Sequence, residues 1–301
     1  MSAQKSLSPA AWISLISLAL IWGASFLSFA IGLRELPVFT LVAHRVFWGG
    51  LTLWSVVIAL RIPLPVSAKA WGALLIMGLL NNAIPFSLIA WGQTHIESGL
   101  ASIINGSTAI FGILIAAIVF ADERLTRRKL IGVGVAFIGV CITIGLDALQ
   151  SLDIRSLAQL ALLGASFAYG CAASWARHTL QGLHPIMAAT GMLTGASLIM
   201  VPLALVIDGT PSFNLSFMTY ASVFFLAIPA TSIAYLLYYR ALNLAGSGNL
   251  SLVTLLVPPT AVFWGAIVLN ESLPATAYFG FAVIALGMII LDGRAMRAFL
   301  R

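Results

Sequence analysis

Apolar runs of about twenty residues follow one another along almost the whole chain, each ended by a short cluster of Pro, Gly, Asn or charge. About twenty apolar residues in helical geometry span the hydrocarbon core of a bilayer. The runs predict ten spanning helices, at 11–32, 38–60, 69–90, 99–120, 129–146, 157–177, 185–207, 216–239, 248–269 and 274–292. The links between them are too short to hold a separate domain, so any chemistry belongs to the helices and their mouths. The first run follows Lys5 and invites comparison with a secretory signal. It is longer than a signal core, and Trp22-Gly23 stands where a cleavage region would begin, so a retained helix is expected.

The pattern is stated twice. Glu123, Leu125, Gly132, Val135, Gly139 and Ile142 are matched by Glu271, Leu273, Gly280, Val283, Gly287 and Ile290, each 148 residues later with no gap. The expected units are residues 11–146 and 157–292, with cytoplasmic tails at 1–10 and 293–301. Five helices is an odd number, so the second unit enters the membrane upside down relative to the first. Such inverted repeats build two interchangeable gates around one midplane site. The fold expected is all-α and membrane-integral, with two inverted five-helix repeats around a central cavity.

Composition excludes a soluble reading: 61% of residues are hydrophobic and 8% charged, with a mean hydropathy of +1.06. Charge sets the orientation. With the N-terminus inside, 12 of the 15 Lys and Arg fall on the cytoplasmic side, and six of the nine acids fall on the other. This is the positive-inside bias, so both termini are expected in the cytoplasm of a bacterial-type inner membrane. The net charge of +6 then reflects topology and anionic lipid, and nucleic acid is not an expected partner.

Arg45 is the sharpest single residue. It lies two turns below the outer end of its helix, roughly 12 Å at 1.5 Å per residue. A charge at that depth must face protein, water or ligand. A carboxylate of a small zwitterion or organic anion would pair with it, whereas snorkelling outward or pairing with Glu35 would make it structural. Its counterpart in the second repeat is Leu193, so an asymmetric site is expected. His44 points about 100° away around the helix and is expected to hydrogen-bond a neighbouring helix.

Asn81 and Asn82 stand at mid-depth in the third helix, one turn before Pro85, which removes the amide that would bond to the carbonyl of Asn81. The inverted copy carries Pro229 in register with Asn81, so both halves interrupt the same helix. Amide side chains and freed carbonyls suit a polar solute, and they equally suit helix–helix adhesion. Trp22 and Tyr169 sit on the paired first helices of the two repeats, Tyr235 and Tyr239 share a helix face, and Trp91 aligns with Tyr239. Flat rings suit an amphipathic or aromatic solute. Trp91, Tyr238 and Tyr239 lie near the predicted helix ends, where an interfacial belt also places aromatics. Thr254 precedes Pro258-Pro259, a candidate ligand and hinge, and the equivalent stretch of the first repeat is the helix-weakening Asn105-Gly106-Ser107-Thr108. Trp22, Arg45, Asn81, Asn82, Tyr169, Tyr235 and Thr254 are therefore the candidate substrate ligands, and Pro85, Trp91, Pro229, Tyr239 and Pro258 the candidate gate or hinge residues. Gly132, Gly139, Gly280 and Gly287 are read as scaffold that lets helices approach closely.

Several chemistries are missing. No P-loop, dinucleotide fingerprint, HExxH pair or G-x-S-x-G elbow occurs, so neither ATP-driven pumping nor hydrolysis is expected. Cys141 and Cys171 have no paired spacing and the four His are scattered, so no metal or cofactor is expected. No Asp or Glu falls in the middle of a predicted helix, which removes the usual membrane carboxylate for proton coupling.

These residues resemble a known family. Trp22-Gly23-Ala24-Ser25-Phe26 is similar to a W-G-x-x-F signature, followed by Pro37 and Arg45. Tyr238-Tyr239-Arg240-Ala241-Leu242, the Pro258 helix, Asn270-Glu271-Ser272-Leu273 and the Gly280/Gly287 pair resemble the closing segment of an EamA-type repeat. From about residue 12 to 292 the chain is similar to ten-helix members of the drug/metabolite transporter superfamily, specifically the EamA-type exporters. The small multidrug pumps of that superfamily rely on an embedded Glu that the first helix lacks. The resemblance implies a secondary carrier that exports amino acids, large or aromatic ones included, by alternating access, as a monomer or a dimer in contact with lipid. The alternatives are a carrier of another small metabolite, such as a nucleoside or phosphorylated sugar derivative, and, outside transport of solutes, a lipid scramblase or intramembrane enzyme.

Overall fold

The structure is a computed structural model that describes residues 8–121, 126–144, 154–245 and 252–292. Among these residues every regular element is helical, and ten spans are formed. In the first repeat α1 is Pro9–Gly32, α2 Val38–Ala59, α3 Ala68–Gln93, α4 Ser98–Val119 and α5 Arg127–Ile144. In the second, α6 is Ile154–Thr179, α7 Pro185–Ile207, α9 Leu252–Leu269 and α10 Ala275–Asp292. Between α7 and α9, α8 is built from Phe217–Ala227, Ile228–Ile233 and Ala234–Ala245. Seven spans are long and apolar enough to cross a bilayer by length and composition. The others are α9 and α10, with shorter apolar stretches, and α5, which opens on Arg127, Arg128 and Lys129.

Helix starts follow local chemistry. Ser8, Ser67 and Ser216 each accept an amide hydrogen from the first turn of α1, α3 and α8, and Pro9 occupies a position where no amide is needed. The main departure from the sequence reading is α8, expected to end at Tyr239 and observed to reach Ala245. Arg240 does not stop it, because that side chain is exposed while the next residue, Ala241, is fully buried. The apolar period sets the end of this helix, and the charge does not.

The halves interleave. Across the divide, α1 packs on α9 and α4 on α6; α3 packs on α6 and α8 on α1; α3 packs on α7 and α8 on α2. Three further pairs, α2 with α7, α4 with α9 and α5 with α10, join each helix to its own counterpart. Exchanging every helix for the one five places on leaves this set unchanged, the signature of a two-fold relation between the repeats. The α5–α10 pair is the tightest: a Cβ on Gly139 would press on the Ile284 amide, and one on Gly287 on the Ala136 backbone. Close backbone approach of this kind is what small residues permit, and it gives these glycines the scaffold role expected of them.

Both repeats interrupt the equivalent helix in the same way. A wide π-turn occupies Leu79–Ala83 of α3, and another occupies Ile228–Ile233 of α8. Pro85 and Pro229 remove amides from the regular ladder, and the wider turn accommodates the loss. The ladder of α4 breaks at Gly106-Ser107, between Ser98–Asn105 and Thr108–Val119. Its counterpart α9 stays helical through Pro258 and Pro259. The expected weakness of the pair is therefore a break in one helix only.

Candidate functional site: a central cavity capped at one end

A cavity of about 610 Å³ lies between the halves, walled by α1–α4 and α6–α9, while α5 and α10 stand outside it. It runs from Leu180, Leu183 and Pro185 at one end of the bundle, past the middle, to Phe29, Phe86 and Ile89. No residue of the links 33–37, 94–97, 208–216 or 270–274, which lie at the other end, reaches it. The volume is that of a site for one small organic molecule.

Arg45 is the one charged side chain on the described wall. It is only 5% exposed. Its Nε–H donates to Thr231 Oγ1 at 3.0 Å, and an Nη2 hydrogen faces the Ala230 carbonyl at 3.5 Å. The guanidinium carbon stands 3.7 Å from the Phe86 ring centre and 5.1 Å from that of Phe29. Among the described residues no carboxylate pairs with it, and Nη1 has no hydrogen-bond partner. Neither snorkelling nor pairing with Glu35 occurs. Aromatic faces and two polar contacts offset part of the cost of burying the cation, and an anionic ligand would supply the rest.

The two π-turns meet around this arginine. Thr231 donates to the Leu226 carbonyl five residues back, at 2.8 Å, while accepting from Arg45. Beside it Ser232 donates to the Gly49 carbonyl of α2 at 2.9 Å. Gly49 permits that approach, since a Cβ there would lie 3.0 Å from the Ala227 carbonyl oxygen. From the other π-turn, Asn81 Nδ2 and Asn82 Nδ2 both donate to Tyr235 Oη at 3.1 Å. A phenol oxygen that accepts twice keeps its own hydrogen, for which no described residue supplies an acceptor.

The opposite end is closed by carboxylates of one repeat on helix N-termini of the other. Glu271 accepts from the Ser98 amide at 2.9 Å, the Ser98 hydroxyl at 2.8 Å and the Gly99 amide at 3.1 Å, capping α4. Asp208 accepts from the amide and hydroxyl of Thr40 at 2.7 and 2.9 Å, capping α2. Glu35 accepts from the Ser216 amide at 2.8 Å, at the start of α8. Glu97 pairs with Arg155 at 2.8 Å. Helix starts present unpaired amides and a positive dipole end, so each carboxylate meets complementary charge.

A family model for the EamA-like transporter family matches residues 10–145 and again 156–291, nearly the whole described bundle. The chain belongs to the EamA-like transporter family. It is a multi-pass membrane transporter and not an enzyme. Among characterised and uncharacterised relatives it is 22% identical to the uncharacterized transporter YoaV of Bacillus subtilis, over 92% of this chain and 95% of that one. A probable amino-acid metabolite efflux pump of Escherichia coli is 24% identical over 90% of each chain. A probable terminal-alkyne amino-acid exporter of Streptantibioticus cattleyicolor is 25% identical over 96% of this chain and 95% of its own. A solved crystal structure matches at a TM-score of 0.66 and 15% identity, covering 97% of this chain and 99% of that one, which supports the fold.

Within this EamA bundle, Trp22, Arg45, Asn81, Tyr169, Tyr235 and Thr254 reach the cavity wall. Asn82 does not; it is fully buried behind Tyr235, and its Oδ1 has no partner. Of the gate candidates, Tyr239 and Pro258 line the cavity, while Pro85, Trp91 and Pro229 do not. Trp91 lies against His95 instead, 5.1 Å between ring centres. The belt reading of Tyr238 and Tyr239 fails: both face the cavity, Tyr238 within 6.0 Å of Trp22, because α8 continues past them. His44 accepts from Trp48 Nε1 at 3.2 Å on its own helix, not from a neighbour. Sequence reasoning passed over Phe29, Phe86 and Thr231, which hold Arg45. The available signal was position: Phe86 follows Pro85, and Thr231-Ser232 is a polar pair just beyond Pro229. Leu193, the counterpart of Arg45, is fully buried against Gly50 of α2, so the repeats contribute unequally.

Proposed function

We propose that this EamA transporter exports amino acids, large and aromatic ones included, from the cytoplasm by alternating access. The observation that carries the reading is Arg45, a single buried cation without a described acid partner on the wall of a cavity otherwise rich in rings. In a low-dielectric cavity it favours one carboxylate and disfavours cations. The names borne by the E. coli and S. cattleyicolor relatives point the same way. The Lys and Arg bias puts both termini in the cytoplasm of a bacterial inner membrane, and the Leu180–Pro185 mouth of the cavity with them. The residues described here then stand in a state open to the cytoplasm. The repeat units are residues 11–146 and 157–292, and one copy of the chain walls the cavity, so a monomer suffices. Export down a cytoplasmic surplus needs no coupled ion.

Counterflow in liposomes tests this reading. Labelled phenylalanine or tryptophan outside should accumulate against unlabelled amino acids trapped inside, without ATP or an ion gradient. Arg45→Ala should reduce flux of the amino acids at least about tenfold, the worth of one charge-assisted hydrogen bond, and spare their carboxamides. Exchange with trapped nucleosides or sugar phosphates but with no amino acid would overturn the reading.

A further inference from the structure

Three serine and threonine hydroxyls on the cavity wall have already used their hydrogens. Ser25 Oγ–H donates to the Trp22 carbonyl at 2.6 Å, Thr108 Oγ1–H to the Asn105 carbonyl at 2.7 Å, and Ser102 Oγ–H to the Gly99 carbonyl at 2.8 Å. A hydroxyl has one hydrogen and two lone pairs, so each of these oxygens can offer the cavity only an acceptor. Ser25 belongs to α1, and Ser102 and Thr108 flank the break in α4. Two donors on the same wall are Arg45 on α2, with an unengaged Nη1, and Tyr235 on α8, with its own hydrogen left over. Ser25 links the two sets, since α1 packs on α8 as well as on α9 and α4. The two sets are close enough for one small molecule. Ser25, Thr108, Arg45 and Tyr235 all line the same cavity of about 610 Å³, and Phe29, whose ring centre is 5.1 Å from the guanidinium carbon, stands four residues from Ser25 on α1, a rise of roughly 6 Å.

From this polarity we propose that the cavity holds its substrate's α-ammonium on the lone pairs of Ser25 and Thr108 while Arg45 and Tyr235 hold the carboxylate. The proposal rests on the amino-acid reading above and deepens it. An α-amino acid carries its donor and acceptor groups on adjacent atoms, and the wall offers their complements on adjacent helix faces. Neutral acceptors serve here because the described wall has no carboxylate: a free amine without its own carboxylate would meet Arg45 uncompensated and be rejected. The subsite is therefore a specificity determinant, separating amino acids both from amines and from acids that lack the amino group.

The test is calorimetric binding to the purified full chain in detergent, with phenylalanine, 3-phenylpropionate and 2-phenylethylamine as probes. Wild type should bind phenylalanine more tightly than 3-phenylpropionate and should not bind 2-phenylethylamine. Ser25→Ala with Thr108→Val should weaken phenylalanine about tenfold and leave 3-phenylpropionate unchanged, as loss of a hydrogen bond to a charged group requires. Thr108→Ser, which keeps the hydroxyl, should restore most of the preference. An unchanged thermal midpoint and elution volume establish that the variants are folded. Equal weakening of both acids, or an unchanged ratio between them, overturns the ammonium subsite and leaves the amino-acid reading standing. Wild-type chain that binds 3-phenylpropionate but not phenylalanine overturns both, and that result is read before any variant is made.

Discussion

The two ends of this molecule are related by the repeat, yet one is closed and the other is not. At the capped end three carboxylates, Glu35, Asp208 and Glu271, reach from one half to the start of a helix in the other. At the open end the cavity continues to Leu180, Leu183 and Pro185. Glu123, the counterpart of Glu271 in the sequence, lies outside the described residues. Cross-repeat packing runs through the whole bundle, and at the capped rim side-chain carboxylates also join the halves. Such caps are individually modest, at about 0.5–2 kcal/mol each, so a gate made of them can be released without unfolding any helix.

If that contrast is correct, Glu271→Ala is the change that breaks it most. Three hydrogen bonds to a carboxylate are lost together, and the first amides of α4 are left without partners inside the rim. Bonds to a charged group contribute about 1.5–3 kcal/mol each before partial replacement by water, so the closed rim should lose at least tenfold in population. The measurement is the reactivity of a cysteine at Ile89, at the deep end of the cavity, toward an impermeant thiol reagent applied from the capped side, after Cys141 and Cys171 are replaced by alanine. Reactivity should rise at least tenfold in the variant. No change would mean that packing, not the cap, holds this end. Gly265 gives an independent handle: a Cβ there would collide with the Glu271 carboxylate, so Gly265→Ala should raise reactivity in the same direction.

A smaller effect is expected at Asp208. One carboxylate oxygen serves both the amide and the hydroxyl of Thr40, and Asp208→Ala removes a single helix cap, costing about 1 kcal/mol. The same cysteine should gain roughly fivefold in reactivity. Asp208→Asn, which keeps an acceptor oxygen, should lie close to wild type. An Asp208→Ala effect as large as that of Glu271→Ala would mean that the rim opens as a unit and not cap by cap.

The rim also shows what the sequence could disclose and what it could not. The ten spans, the repeat and its inversion follow from apolar run length and a strict offset, both one-dimensional patterns. Trp22, Arg45, Asn81, Tyr169, Tyr235 and Thr254 stand out because a charge, an amide or a ring is conspicuous against an apolar background, and all six reach the cavity. Phe29 and Phe86 were invisible because a phenylalanine in a membrane helix is ordinary, and only its distance from Arg45 gives it a role. Ser25 and Thr108 were invisible for a related reason: a hydroxyl's meaning depends on where its hydrogen goes. The rim carboxylates were read as topology charges, since their partners lie 168 to 181 residues away. Tyr239 was misread through a helix boundary, the feature that periodicity fixes least well.

The smallest effect belongs to Glu35, and it tests whether the rim responds to pH. Its carboxyl is held below the ordinary value of 4.5, first by the Ser216 amide and then by the hydroxyls of Ser216 and Thr219. A depressed carboxylate pKa contributes to the closed rim above the ordinary value, and the contribution is lost only as pH falls through the lowered one. Between pH 5 and 8 the contact with Ser216 is therefore constant. After correction for the thiolate fraction at each pH, the Ile89 cysteine in an otherwise unaltered rim should show the same capped-side reactivity across that range. Glu35→Gln, fully exposed to solvent screening, should barely alter it at neutral pH. A reactivity, so corrected, that climbs between pH 7 and 5 would show that a different rim group titrates there.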